Sequence, residues 1–238
     1  MELIQCSNAD KARTYALTAL QNLLFEKKRA GVPVLLLLSG GSAFSILENI
    51  SHNVFGPHMT IGVLDERYST DENINNFSQL MKTDFYCAAR NTGAACVDTR
   101  VANEETQDTL AKRMEHALHE WVETHSEGVV AATMGIGADG HTAGIMPFAE
   151  NVDIFHELFE DEEKWVVSYD AGTKNSYPLR VTVTLPFLRN YIDYAVVYAV
   201  GEEKKNALLR VLAEKGSFAE TPARIFRDMK NVQLFTER

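Results

Sequence analysis

Short, almost wholly apolar runs constrain this chain more than any other feature. Val34-Leu35-Leu36-Leu37-Leu38 follows Pro33 and lies between Gly31 and Gly40, and residues 59–64 and 129–134 have the same character. Apolar runs this short and without alternation fit strands covered on both faces and are too short to span a bilayer. Helical patterns separate them. Over residues 8–29, Asn8 is placed as N-cap, Ala12, Tyr15, Ala16, Ala19, Leu20 and Leu23 form a stripe, and Gly31 ends the pattern. Phe44, Leu47 and Ile50 mark a helix over 43–50. Further helices are expected over 74–83, over 104–125 with Leu110, Met114, Ala117, Leu118 and Trp121 inward, and over 202–213. Residues 165–169, 181–184 and 194–200 are strand candidates, and 231–235 reads as a final edge strand. Strands alternating with helices predict an α/β fold, with a mostly parallel sheet covered by helices on both faces. No repeat or low-complexity linker divides the chain, and the irregular stretch 88–101 is too short to do so. One domain over 1–238 is expected, with a small subdomain around 145–190.

Charge narrows the partners. Lys and Arg number 23 against 33 Asp and Glu, a net charge of −10 over 238 residues. Such a chain is poorly suited to wrapping nucleic acid or coating an anionic membrane, so neither is expected as a partner. An anionic ligand would need positive charge gathered in one place. Cys6, Cys87 and Cys96 are odd in number and lack C-x-x-C spacing, which points to free thiols in a reducing compartment. Met1–Gln5 has neither the basic nor the apolar region of a secretory leader, and the cytoplasm is the expected location. His116 and His119 are three apart with no evident third ligand, so no metal site is expected. No feature assigns an oligomeric state.

In open parallel sheets, ligands bind beyond the carboxyl ends of strands, and three expected strand ends carry unusual loops. Ser39-Gly40-Gly41-Ser42 joins a buried strand to a helix. Its glycines let backbone amides approach a ligand, Ser42 is placed to cap the helix, and a helix N-terminus suits an anion. The same residues also make an ordinary capped turn. Their spacing is neither that of a P-loop nor that of a nucleophile elbow. Asp65-Glu66-Arg67 ends a second strand; its charges need partners if buried and otherwise begin a solvated loop. Asn73, Asn75 and Asn76 follow, suited to shaping a turn or contacting a hydroxylated ligand.

The third loop, Gly135-Ile136-Gly137-Ala138-Asp139-Gly140-His141-Thr142-Ala143, formally contains G-x-G-x-x-G. Gly144 and Pro147 interrupt the stretch where a long helix should follow, and no acid ends a second strand ~20 residues on, so a dinucleotide site is not expected. Of seven histidines, His141 alone sits in a glycine-rich strand-end loop with a carboxylate two residues away. Imidazole titrates near neutrality and suits a general base. A loop histidine bonded to a carbonyl is the plainer alternative.

Taken together and in this order, the loops resemble those of the 6-phosphogluconolactonases, in the wider group that includes the glucosamine-6-phosphate deaminases. Their pattern reads S-G-G-S/T, then D-E-R with an Asn-rich segment, then G-x-G-x-D-G-H-T-A-S-L-F-P. Ser39–Ser42, Asp65–Arg67 with Asn76-Phe77, and Gly135–Pro147 match it. Arg180-Val181-Thr182-Val183-Thr184-Leu185-Pro186 resembles R-I/V-T-L-T-L-P, and Gly201-Glu202-Glu203-Lys204 resembles G-E-x-K, so the likeness covers residues 33–230. Phe44 departs from a common proline, Gly144, Met146 and Phe148 from Ser, Phe and Gly, and residues 234–238 from an aromatic–aspartate ending. The deaminases read D-E-Y and G-H-I-A-F-N-E-P, against which stand Arg67, Thr142 and Gly144-Ile145-Met146-Pro147.

The resemblance implies a modified Rossmann-like fold and hydrolysis of 6-phosphoglucono-δ-lactone to 6-phosphogluconate, a step of the pentose phosphate pathway, with no cofactor. A lactone is an activated ester, so a base for water and a stabiliser for the oxyanion suffice. The base implied is His141, with Asp139 to orient it or shape the loop, and Arg67 as a positive charge near the lactone or phosphate. Ser39, Gly40, Gly41, Ser42 and Asp65 are implied in substrate binding, and Arg180 and Lys204 at the distal phosphate, where a guanidinium binds in bidentate fashion and an ammonium acts as a point charge. A deaminase of amino-sugar phosphates and a non-catalytic sugar-phosphate module are the two alternatives.

Overall fold

Strand β1 (Glu2–Cys6) leads into helix α1 (Ala9–Ala30), which Asn8 caps by accepting the Lys11 amide at 2.9 Å and Gly31 ends in the left-handed region at φ 68°. Both caps are those expected. In this computed structural model, the backbone of all 238 residues and the side chains of all but Ser42 and Ala43 are described. Next come β2 (Val34–Leu38), β3 (Met59–Val63), β4 (Asp65–Arg67), α2 (Asn76–Met81), α3 (Asp84–Asn91) and β5 (Ala95–Cys96). The second half holds α4 (Gln107–Thr124), β6 (Val129–Gly135), α5 (Val152–Phe159), β7 (Val166–Asp170), β8 (Leu179–Val183), α6 (Leu185–Tyr191), β9 (Tyr194–Tyr198), α7 (Lys205–Leu212) and β10 (Asn231–Glu237). Among the described residues, no helix is long and apolar enough to cross a membrane.

Seven strands form one sheet in the order β1-β10-β9-β6-β2-β3-β5, and every neighbouring pair is parallel. The apolar run in β2 lies near the middle with all five residues fully buried. Alternation along the strand divides them between two cores. Leu36 and Leu38 pack with Ala12, Ala16, Leu20 and Leu24 of α1, while Leu35 and Leu37 pack with Leu110, Met114 and Leu118 of α4. Full burial of one such leucine is worth about 1.5–3 kcal/mol, which is why these strands tolerate no polar alternation. Helices therefore cover both faces, as the buried runs require.

A second sheet of three antiparallel strands, β4-β8-β7, adds Val166, Val167, Val181 and Val183 to the α4-side core. β7 and β8 fall within the stretch 145–190 expected as a subdomain, while β4 comes from residues 65–67, so the small sheet joins two distant stretches of chain.

Other departures have local causes. Residues 2–6 form a strand that was not expected, because only Ile4 and Cys6 turn away from solvent. Residues 231–237 are not an edge strand. β10 lies between β1 and β9, with Val232, Leu234, Phe235 and Thr236 buried. In α1 the buried stripe follows a strict i, i+4 series, and Tyr15 points out with 51% of its surface exposed. The helix expected over 43–50 is a 3-10 segment over Gly41–Leu47, whose N-cap position is Gly40. Two glycines and a serine at its start weaken an α-helical beginning. The Ser42 side chain itself lies outside the described residues.

Candidate active site

The parallel strands β2, β3, β6 and β9 all end on the same side of the large sheet, so the loops that follow them converge there. They enclose a cleft of about 260 Å³ lined by Ser39, Gly40, Gly41, Asp65, Arg67, His141, Arg180 and Lys204, together with Asn76 and residues 135–144 other than 138–140. All the expected site residues with described side chains line it except Asp139, which stands behind His141. A larger groove of about 970 Å³ lies at the other end of the strands, beside Glu2, Tyr194 and Asn231, and contains none of these residues.

The loop after β6 closes on itself. The Gly137 amide donates to the His141 carbonyl and the Gly140 amide to the Gly137 carbonyl, both at 2.9 Å. This tight return lays the imidazole across Gly137, where any Cβ would lie 2.1 Å from His141 Nδ1; only glycine fits. Nδ1 sits 2.6 Å from Asp139 Oδ1, and the same oxygen accepts the His141 amide at 3.1 Å. Burial alone would raise the Asp139 carboxyl, but hydrogen bonds and charge from His141 outweigh it and hold the group below its ordinary range. An ionised carboxylate only accepts, so Nδ1 donates the hydrogen between them, and in the neutral ring this leaves the lone pair on Nε2. Behind the loop, Arg210 Nη2 donates to the Asp139 carbonyl at 2.8 Å, and the Ala223 amide to the Gly140 carbonyl at 3.0 Å. On its other side, Ala143 holds a left-handed φ of 47° and its carbonyl accepts the Thr182 hydroxyl.

The opposite wall is made by β4 and β8. Their register pairs Asp65 with Thr182, Glu66 with Val181, and Arg67 with Arg180. Directly opposed residues share a face, so two guanidinium groups are set side by side, an arrangement that costs energy without a counter-anion. Asp65 answers part of it: its Oδ2 accepts Arg180 Nη2 at 3.1 Å, with both side chains almost fully buried. Arg180 Nε and Nη1, Arg67 Nε, Ser39 Oγ and Asn76 Oδ1 are buried with no hydrogen-bond partner among the described residues. A buried unpaired polar group costs about 1–3 kcal/mol, and several gathered at one cleft mark a place built for a polar ligand. The Arg67 guanidinium also lies over the Tyr177 ring, 4.8 Å from its centroid.

Glu66 points the other way. Its carboxylate accepts the Arg67, Asn76 and Phe77 amides and the Thr99 hydroxyl at 2.8, 2.5, 3.0 and 2.8 Å, tying β4 to the start of α2. The three asparagines divide by role. Asn73 joins an Asp71 turn, Asn75 caps α2, and Asn76 lines the cleft while donating to the Asp65 carbonyl at 2.9 Å. Among the described residues, no group of three or more His, Cys, Asp or Glu could hold a metal ion. Tyr177 and Arg210 were not singled out in the sequence, since neither lies in a glycine-rich loop or at a strand end.

The model for glucosamine-6-phosphate isomerases/6-phosphogluconolactonase matches residues 7–235. A 6-phosphogluconolactonase of Xylella fastidiosa (strain 9a5c) is 25% identical over 219 residues, covering 90% of this chain and 86% of that protein. Among solved structures, a 6-phosphogluconolactonase from Shewanella baltica OS155 superposes with a TM-score of 0.77 at 18% identity, over 100% of this chain and 98% of that one. One from Thermotoga maritima gives a TM-score of 0.71 at 22% identity, over 99% and 98%. These likenesses establish the fold, with its parallel sheet between helices.

Proposed function

Since the chain belongs to the family of glucosamine-6-phosphate isomerases and 6-phosphogluconolactonases, we propose that it hydrolyses 6-phosphoglucono-δ-lactone to 6-phosphogluconate. The observation that carries this reading is the meeting of two features at one cleft: a histidine oriented by a carboxylate, and buried guanidinium N–H groups with no partner among the described residues.

With Nδ1–H held by Asp139, His141 Nε2 takes a proton from water as the water oxygen adds to the lactone carbonyl. The carbonyl π pair becomes an oxyanion, and the positive charge of Arg67, which lines the cleft with His141, is assigned to stabilise it. Collapse restores the carbonyl and breaks its bond to the ring oxygen, which receives the proton from His141. Water and ester are consumed and a carboxylic acid and a hydroxyl remain, so the proton balance closes within the site. The substrate phosphate is assigned to Arg180 and Lys204, with the Gly40 and Gly41 backbone beside them. Asp65 orients Arg180 by occupying one of its donors. Because the segment after β2 is a short 3-10 turn, side-chain cations carry more of the phosphate interaction than a helix dipole would.

The test is a coupled assay on freshly generated lactone, corrected for its spontaneous hydrolysis. The wild type should accelerate the reaction and release no ammonia from glucosamine 6-phosphate. General-base assistance is worth about 10²–10⁴-fold, so His141→Ala should lower kcat by that order with KM little changed. A folded His141→Ala protein with wild-type kcat would remove His141 from the mechanism.

A further inference from the structure

Helix α7 starts directly after Lys204, the last residue of the 3-10 turn Glu202–Lys204. Six residues on, or ~9 Å along a helix axis, Arg210 reaches the back of the loop that carries His141. Its Nη2 donates to the Asp139 carbonyl at 2.8 Å and its Nε to Thr221 Oγ1 at 3.2 Å. The helix end is fixed in turn. Arg224, a buried arginine, donates through Nη1 to the Arg210 carbonyl at 2.6 Å and the Ala213 carbonyl at 3.0 Å.

Resting on the lactonase reading above, we infer that Arg210 is a positioning residue: it locks the Asp139–His141 loop onto α7 and so sets the distance between the base and the phosphate contact at Lys204. Arginine suits the task because its planar fork meets two acceptors in different segments at once, whereas a lysine ammonium is a single point charge on a flexible stem. Arg210 is solvent-exposed, so its loss removes the latch without opening a core cavity. The consequence is kinetic. A shift of about 1 Å in a reacting group costs up to ~10²-fold in rate, while phosphate contacts that do not involve the loop keep ground-state binding.

Arg210→Ala should therefore lower kcat about 10–100-fold and leave KM within about threefold of wild type, with Arg210→Lys in between. Leu209→Ala, on the exposed face of the same helix, should leave both unchanged. A second readout needs no substrate: in the proton NMR spectrum, the hydrogen-bonded Nδ1–H of His141 should be sharp in the wild type and exchange-broadened or lost in Arg210→Ala. A folded Arg210→Ala protein with wild-type kcat and an unchanged Nδ1–H signal would overturn the inference, as would a loss confined to KM. If Arg210→Ala does not fold, Arg210→Lys and Arg210→Gln decide by the same criteria. If the wild type does not turn over the lactone at all, the functional reading falls, and the imidazole signal alone judges Arg210.

Discussion

Gly144 stands where the resembled pattern carries serine, and its surroundings explain why. Its φ is 72°, and a Cβ built on it would lie 2.6 Å from Asp65 Cβ. A side chain there would be strained by its backbone and would push Asp65 off Arg180. Substitution toward a family's common residue usually stabilises a protein; here Gly144→Ser should cost about 1–3 kcal/mol. For a chain of this size each kcal/mol is worth about 2–4 °C in Tm, so calorimetry should show a clear drop, and an unchanged Tm would mean that the loop relaxes freely. His141 is legible from sequence because its ring needs Gly137 and Asp139 close by in the chain, and local constraints leave local traces. Arg210 and Tyr177 act across long sequence separations from helix and hairpin positions, where Arg and Tyr are ordinary residues. Nothing nearby in the chain distinguishes them.

Elements differ in legibility for the same reason. β2 is readable because both of its faces are buried, so its composition has no freedom. β4 is not, since Asp65, Glu66 and Arg67 have the charge of a loop and become a strand only through pairing with β8. Within β4, Glu66 is fully buried. Burial pushes its carboxyl from about 4.5 up to about 7, against the hydrogen bonds from Phe77, Asn76 and Thr99. A pKa raised on folding contributes stability that is present below the unfolded value and is lost as pH rises through the folded one. At about 1.4 kcal/mol per pH unit, the loss between pH 4.5 and 7 amounts to about 3 kcal/mol. Glu66→Gln should be less stable throughout, because its amide group meets N–H donors, but it lacks this titration. Tm measured from pH 4.5 to 7.5 should therefore fall more steeply for the wild type than for Glu66→Gln. Parallel curves would mean that the four hydrogen bonds keep Glu66 ionised across the range.

At the scale of the whole molecule, a net charge of −10 repels anions, so the proposed binding of a phosphorylated sugar rests on the positive charge that Arg67, Arg180 and Lys204 bring to one cleft. Arg180→Ala is a poor probe, because it would strand the buried Asp65 carboxylate. Lys204→Ala leaves the Asp65–Arg180 ion pair in place. It should cost about 10-fold or more in kcat/KM on the phosphorylated lactone, the worth of a charged hydrogen bond, and little on unphosphorylated gluconolactone. Inorganic phosphate should compete more weakly as salt is raised. Equal wild-type rates on both lactones would remove the phosphate from recognition. The position of β10 has a separate consequence, for how this chain is made. The last strand in chain order is inserted between β1 and β9, and the Arg238 amide donates to the Cys6 carbonyl at 3.0 Å. A ribosome therefore delivers nine strands before the one that joins the first to the rest. Until residues 231–237 clear the exit tunnel, β1 has no strand neighbour and β9 presents an open edge, so the nascent polypeptide stays exposed to mispairing until β10 is delivered.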